Sequence, residues 1–364
     1  MPTLRWITAV LTAAGCASRT VPLAQPASGA APNHVERLGD GVYAIVRHDP
    51  VAFANNANSL AVVTDSGVLV VDAQFTRAAT LETLHAIRGL TPKPVRWVVN
   101  THWHDDHVAG NQVYRDTFPN VDFVAQANTK EDLIKIGAPN RVGTWGAEPA
   151  YVARLRRLLA QGLGGDSTPL TPPEQTALEH TVAILQQYKA EQSAFRETLP
   201  SITFARSLTL GGSGARRVEL HWYGPANTRG DAVVVVPAQG IVATGDLVVW
   251  PEPFAFGSDV SGWIAALDSV RALHPHVILP GHGPVMHDDA FVRREQRMLA
   301  TVRDRTLAAV RGGATTLDSV RRVARFDDLR DEVAGSEKWA RAAFTTFFLA
   351  PAIAGAFAAT RPTP

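Results

Sequence analysis

The chain is poor in sulfur, with one cysteine, Cys16, and three methionines in 364 residues. A lone thiol cannot close a disulfide within the chain, and cysteine-built zinc modules are excluded with it. Stability must therefore come from an apolar core, and a hydrophobic content of 46% over this length is ample for one large domain or two small ones. Excess charge is also missing. Thirty-five basic residues face 34 acidic ones, for a formal charge of +1. The basic residues are scattered rather than striped, so nothing provides the electrostatic footprint that nucleic acid requires, and that partner is set aside. There is no internal repeat and no low-complexity tail.

What is present is concentrated in Val98-Val99-Asn100-Thr101-His102-Trp103-His104-Asp105-Asp106-His107. Val95 to Val99 has the β-branched, aromatic composition of a short buried strand, so the polar residues after it sit where the strand leaves its sheet. In extended backbone, side chains two apart project the same way. His102 and His104 can thus grip one ion, while Asp106 and His107, beyond a turn, can face a second. The alternative is a polar surface loop, but loops seldom concentrate ligand types this densely.

Residues 41–46, 59–64 and 67–72 have the pattern of three successive strands, the last two joined by the hairpin signal Asp65-Ser66-Gly67. Leu81, Leu84 and Ile87 mark a helix from Thr76 to Arg88, which Gly89 and two prolines terminate. A helix starts at Gly110 and a strand covers residues 121–125. From about 129 to 200 the pattern turns helical, with stretches from Tyr151 to Leu163 and Pro173 to Leu199, which marks an insertion whose leucines serve packing. Strands return at residues 201–204, 217–222, 232–236 and 240–244, and helices at 261–273 and from Asp288 onward. Two strand-rich halves flanked by helices suit an α/β, four-layer αββα sandwich. Thr244-Gly245-Asp246 and Pro280-Gly281-His282-Gly283 both end apolar strands, where loops converge. Taken singly, they read equally well as a turn aspartate and a loop histidine.

Together these segments resemble the metallo-β-lactamase fold superfamily of hydrolases, over about residues 35 to 290. The resemblance implies that Asp246 bridges two metals, that His282 completes the second, and that Asp72 supports a ligand from behind; a plain turn aspartate is the alternative for Asp72. A bridging carboxylate makes physical sense because it holds two cations close while neutralising part of their repulsion. The departure lies in Tyr223-Gly224-Pro225-Ala226-Asn227-Thr228-Arg229-Gly230-Asp231, where the superfamily supplies a third histidine to the first metal and this chain has Asn227. An amide oxygen is a poorer zinc ligand than imidazole. The first site would hold His102, His104, Asp246 and a weak Asn227, and the second Asp106, His107, Asp246 and His282. His221 is the nearest spare histidine as a replacement, and the alternative for Asn227 is that it only caps the turn before Thr228. The other histidines have no spacing that implies a site. Trp103, Trp250, Phe254, Phe256 and Trp263 fall around the ligand segments, as pocket lining or as core.

The chemistry implied is hydrolysis. Two Zn2+ ions sharing a water lower its pKa to about 7 and so generate a nucleophile at neutral pH. An ester, lactone, thioester or β-lactam carbonyl of a small-molecule substrate would be attacked, with Asp106 orienting the nucleophile and relaying a proton to the leaving group. Asp246 resembles the glyoxalase II and lactonase branches more than the β-lactamases. The other classes to weigh are a mononuclear iron oxidoreductase similar to persulfide dioxygenases and a metal-free binding protein decayed at this site.

The amino terminus carries Arg5, an apolar run from Trp6 to Ala14 that is too short for a membrane span, and Gly15-Cys16. It resembles a bacterial lipoprotein signal peptide over residues 1–16, with Ala13-Ala14-Gly15-Cys16 as lipobox and Cys16 as the lipidated anchor. Residues 17–34, rich in Pro, Ala and Ser, would tether a domain at 35–290 to that anchor, and 291–364 would form a helical extension. Lipidation, or an ordinary secretory signal in its place, puts the protein outside the cytoplasm, in the periplasm.

Overall fold

The computed structural model describes residues 33–52, 55–141, 148–191, 194–212 and 214–361. The stretch expected to form a signal peptide, Cys16 and the expected tether up to residue 32 lie outside the described residues.

Among the described residues, twelve strands form two sheets. The first, in spatial order, contains β1 (His34–Gly39), β2 (Val42–Val46), β3 (Ser59–Thr64), β4 (Gly67–Val71), β5 (Val95–Val99), β6 (Asp122–Gln126) and β7 (Ile202–Phe204). The second contains β8 (Ser207–Leu210), β9 (Val218–Trp222), β10 (Ala232–Val236), β11 (Ile241–Val249) and β12 (Val277–His282), ordered β12-β11-β10-β9-β8. β1 to β4 form an antiparallel meander, and β4 to β7 run parallel. Parallel neighbours need crossovers, supplied by helices Arg77–Leu90 and Asn111–Thr117 and by the insertion. In the second sheet β11 and β12 are the parallel pair, joined by helix Val260–Ala272. The chain therefore leaves β4, β5 and β12 at their carboxyl ends beside one another, where open α/β sheets gather ligands.

Alternation along the strands builds three apolar layers. Leu60, Val62, Leu69 and Val71 meet Leu220, Val234, Ala243 and Leu279 between the sheets. Ala61, Val68 and Val70 point the other way, onto Leu84, Ile87 and Tyr114. Val233, Val235 and Val242 cover the outer face of the second sheet together with Trp263, Leu267 and Leu299. The result is the expected αββα order of layers.

Several details differ from expectation. β1 begins at His34, inside the stretch assigned to the tether; its Glu36 and Arg37 hide the strand pattern because it is an exposed edge. β8 is a half-exposed edge strand that residues 207–210 do not announce. The second insertion helix, Pro172–Glu191, stops well before Leu199. Beyond it the backbone is drawn off its axis, as Arg196 N donates to Gln112 and Asn111 donates to the Thr198 carbonyl. The insertion helices Glu148–Gln161 and Pro172–Glu191 pack together with Phe75, whose ring stacks 4.4 Å from that of Tyr188. Among the described residues, Lys338–Ala358 is long and apolar enough to cross a membrane. Its Phe344, Phe348, Ala352 and Ile353 are nevertheless buried against Trp263 and Leu299 in the core.

Candidate metal centre

Helix Asp105–Val108 starts directly after the β5 loop, with His104 at its N-cap, so Asp106 and His107 turn back toward His102. Two ligand groups result. His102, His104 and Asp246 form one, and Asp106, His107, Asp246 and His282 the other, the ligand atoms of each lying within 4.8 Å of one another. Asp246 belongs to both. Its Oδ2 lies 3.7 Å from His102 Nε2, while its Oδ1 lies 3.3 Å from His107 Nε2 and 3.6 Å from His282 Nε2. Asp106 Oδ2 closes the second group, 3.0 Å from His282 Nε2 and 3.4 Å from His107 Nε2. His104 offers Nδ1, 2.9 Å from His102 Nε2.

The surroundings fix these orientations. Asp72 Oδ2 bonds His107 Nδ1 at 2.8 Å, which sets the tautomer and leaves Nε2 facing the carboxylates. Asp72 also accepts from Thr101 N and Oγ1, both at 2.8 Å, and Thr101 Oγ1 lies 3.0 Å from His102 Nδ1. The supporting role suggested for Asp72 is thus the one the geometry gives, rather than a plain turn. Asp246 does not end its strand as expected. It lies inside β11, which runs on to Val249, with a register irregularity on either side of Gly245. Gly245 has φ +52, and a Cβ there would lie 2.5 Å from Thr101 Oγ1; a Cβ on Gly281 would lie 2.0 Å from Asp246 Oδ1. Two glycines thereby let β11 and β12 close on the His102 loop.

Asp246 Oδ1, His107 Nε2 and His282 Nε2 are buried and have no hydrogen-bond partner. Native proteins rarely leave such atoms unsatisfied, and three of them aimed at one point fit a bound cation. Residues 53–282 match the model of the Metallo-beta-lactamase superfamily. The chain belongs to the metallo-beta-lactamase superfamily. A linear primary-alkylsulfatase from Pseudomonas sp. (strain ATCC 19151) is 23% identical over 273 residues, 71% of this chain and 48% of that protein. The chain thus spans about half the length of this curated relative. Among solved structures, a metallo-beta-lactamase from Pontibacter korlensis is similar with 20% identity and a TM-score of 0.48, over 74% of this chain and 99% of that one. The metallo-beta-lactamase FIM-1 from Pseudomonas aeruginosa, in its mono-zinc form, has 17% identity and a TM-score of 0.49, over 74% and 96%.

This superfamily member departs from the pattern at Asn227. Its side chain is buried, and neither its Oδ1 nor its Nδ2 has a hydrogen-bond partner. It does not cap the turn. That work is done by Asp231, which accepts from Thr228 N at 2.7 Å and Thr228 Oγ1 at 2.9 Å. His221 is no replacement, since it bonds Glu219 at 3.1 Å and stacks on Tyr223.

Burial, reinforced at His102 by the neighbouring His107, lowers the pKa of both His102 and His104 and favours the neutral imidazole that metal ligation uses. At His107 and His282 burial acts the same way but is outweighed, chiefly by Asp246 with Asp106 adding to it, so both are raised. Burial alone would raise Asp106 and Asp246. His107 and His282 overcome it and hold both carboxyls below their usual range.

The insertion also reaches the site, which sequence reasoning missed. Arg141 pairs with both Asp105 and Glu197, and Tyr188 Oη donates to Asp105 at 3.3 Å, so Asp105, next to the candidate ligand Asp106, is clamped from behind. The aromatic residues divide. Trp250 and Phe254 line a cavity that includes His282, Trp263 is core, Phe256 is exposed, and the Trp103 ring lies 4.6 Å from that of His104.

Proposed function

We propose that the chain is a metal-dependent hydrolase that holds two zinc ions and cleaves an ester, lactone, thioester or β-lactam bond. The observation that carries this reading is Asp246, with one carboxylate oxygen turned to each of two ligand groups. His102, His104 and Asp246, with Asn227 as a weak fourth, would hold one ion; Asp106, His107, Asp246 and His282 would hold the other. Bound there, zinc supplies Lewis-acid polarisation of a carbonyl and brings the pKa of water to about 7.

The protein's own part is orientation and proton handling. Asp106 is the carboxylate of the cluster most open to solvent, with 21% of its side chain exposed against 2% for Asp246. In this reading it orients the attacking water and carries its proton to the leaving group. Asp72 and Thr101 hold His107 and His102 in fixed orientations, so little reorganisation accompanies the reaction.

Metal analysis of protein purified without added metal tests this reading. Two zincs support it, one iron favours an oxidoreductase, and none favours a binding protein. Turnover of nitrocefin, a lactone, a thioester and a phosphodiester then sorts the substrate class. The alkylsulfatase relative adds a primary alkyl sulfate to that panel.

We further propose export and anchoring through Cys16, on the strength of Ala13-Ala14-Gly15-Cys16. Wild-type protein should fractionate with membranes and Cys16→Ala should not; wild-type protein in the cytosolic fraction would contradict the proposal.

A further inference from the structure

Two of the candidate ligands are held from outside the cluster, His107 by Asp72 and His102 by Thr101. Asp106 is not. Its carboxylate meets His107 and His282, and among the described residues none outside the cluster bonds it. Its position must therefore come from the backbone, yet helix Asp105–Val108 has four residues and no side-chain cap. A helix this short has little stability of its own, so residue 105 has to be fixed by something else.

The insertion supplies that fixation from three separate stretches. Arg141, early in it and buried, directs Nε to Asp105 Oδ1 at 3.0 Å, with Nη2 on the same oxygen and Nη1 on Glu197. Tyr188 Oη, on helix Pro172–Glu191, donates to Asp105 Oδ2 at 3.3 Å, so both carboxylate oxygens are engaged. The partners are held in turn. The Arg141 guanidinium lies 4.6 Å from the centre of the Phe195 ring, and the Tyr188 ring stacks on Phe75. A buried, forked contact fixes orientation as well as distance. Without the guanidinium, the carboxylates of Asp105 and Glu197 would be left together with no cation, and the disturbance would fall on the residue next to Asp106.

We propose that Arg141 is a positioning residue for Asp106, acting through Asp105, so that the docked insertion sets the affinity of the second ligand group for its ion. The proposal rests on the reading above that this group holds a metal. It gives the insertion a part in the metal centre beyond the packing of its leucines.

The test is zinc titration of metal-stripped full-length protein against a chromogenic chelator, with Asp106→Ala marking the step that belongs to the second group. Arg141→Met should weaken that step by about 10- to 100-fold and leave the other within about threefold, and Arg141→Lys, which keeps the charge without the fork, should fall between wild type and Arg141→Met. In the Asp106→Ala background, Arg141→Met should add no further loss of zinc affinity, since its effect passes through Asp106. Leu299→Ala opens a cavity in the core around Trp263, away from the insertion; it controls for lost stability and should leave the second step as in the wild type. Equal weakening of both steps, a further loss in the double variant, or a wild-type second step in Arg141→Met overturns the proposal. If Asp106→Ala alters no zinc step, it is the metal reading that fails, and the positioning is judged by amide hydrogen exchange of the metal-free chain. The amide to follow is that of Ala109, which donates to the Asp105 carbonyl at 2.8 Å. Faster exchange there in Arg141→Met but not in Leu299→Ala supports the proposal, whereas unchanged exchange in Arg141→Met, or faster exchange in both, overturns it.

Discussion

The two oxygens of Asp246 answer to different imidazoles, whereas Asp106 serves only the second ligand group. Asp106→Ala is therefore expected to leave His102, His104 and Asp246 in place, lower the zinc content toward one ion per chain, and reduce turnover by about 10² to 10⁴. Metal analysis beside steady-state kinetics checks both, and an unchanged zinc count with full turnover would refute the role given to Asp106. Asp72 acts through His107. Asp72→Ala should weaken zinc binding by about 10- to 100-fold, as measured by competition with a chromogenic chelator. Glu252 gives a pH signature. Burial raises its carboxyl from an ordinary value of 4.5 to about 7, against the pull of Arg294. The folded chain thus keeps a proton that the unfolded chain releases, so its contribution to stability is greatest below about pH 4.5 and declines until about pH 7, by on the order of 3 kcal/mol. Urea unfolding of the metal-free protein at either end of that window should show this decline in the wild type and less of it in Glu252→Gln.

At the level of elements, the candidate ligands come from the loop after β5, the one-turn helix that follows it and two strands, brought together by missing side chains. Gly281 is the tightest point, and Gly281→Ala should push β12 from Asp246 and lower both zinc affinity and melting temperature, a paired loss that calorimetry with and without zinc would register. The Arg141 clamp is different, because removing the guanidinium leaves Asp105 and Glu197 facing each other without a cation. Arg141→Met should cost about 3 kcal/mol in urea unfolding, and an unchanged midpoint would show the clamp to be idle. These elements also show what the sequence could convey. His102, His104, Asp106 and His107 are neighbours along the chain, so local spacing sufficed. Asp246 was legible by type but not by position, since the bend at Gly245 that turns it inward depends on contact with Thr101. Arg141 left no local signal, because its partners Asp105 and Glu197 lie on segments far from it in sequence.

For the whole molecule, the αββα order was legible because each strand's alternation survives in its two faces, as in β4, where Leu69 and Val71 point to the second sheet and Val68 and Val70 to the helices. The exposed edges β1 and β8 escaped notice, as they bury too little for a pattern. The layered frame brings residues 102 to 107, 246 and 282 to one rim, and the central claim is that this rim holds two ions across Asp246. A zinc-edge anomalous difference map from crystals of protein purified without chelator tests that claim most directly. Two peaks are expected, one bounded by His102, His104 and Asp246 and the other by Asp106, His107, His282 and the same Asp246. A map with no peak at Asp246, or with zinc held only elsewhere on the chain, would contradict it.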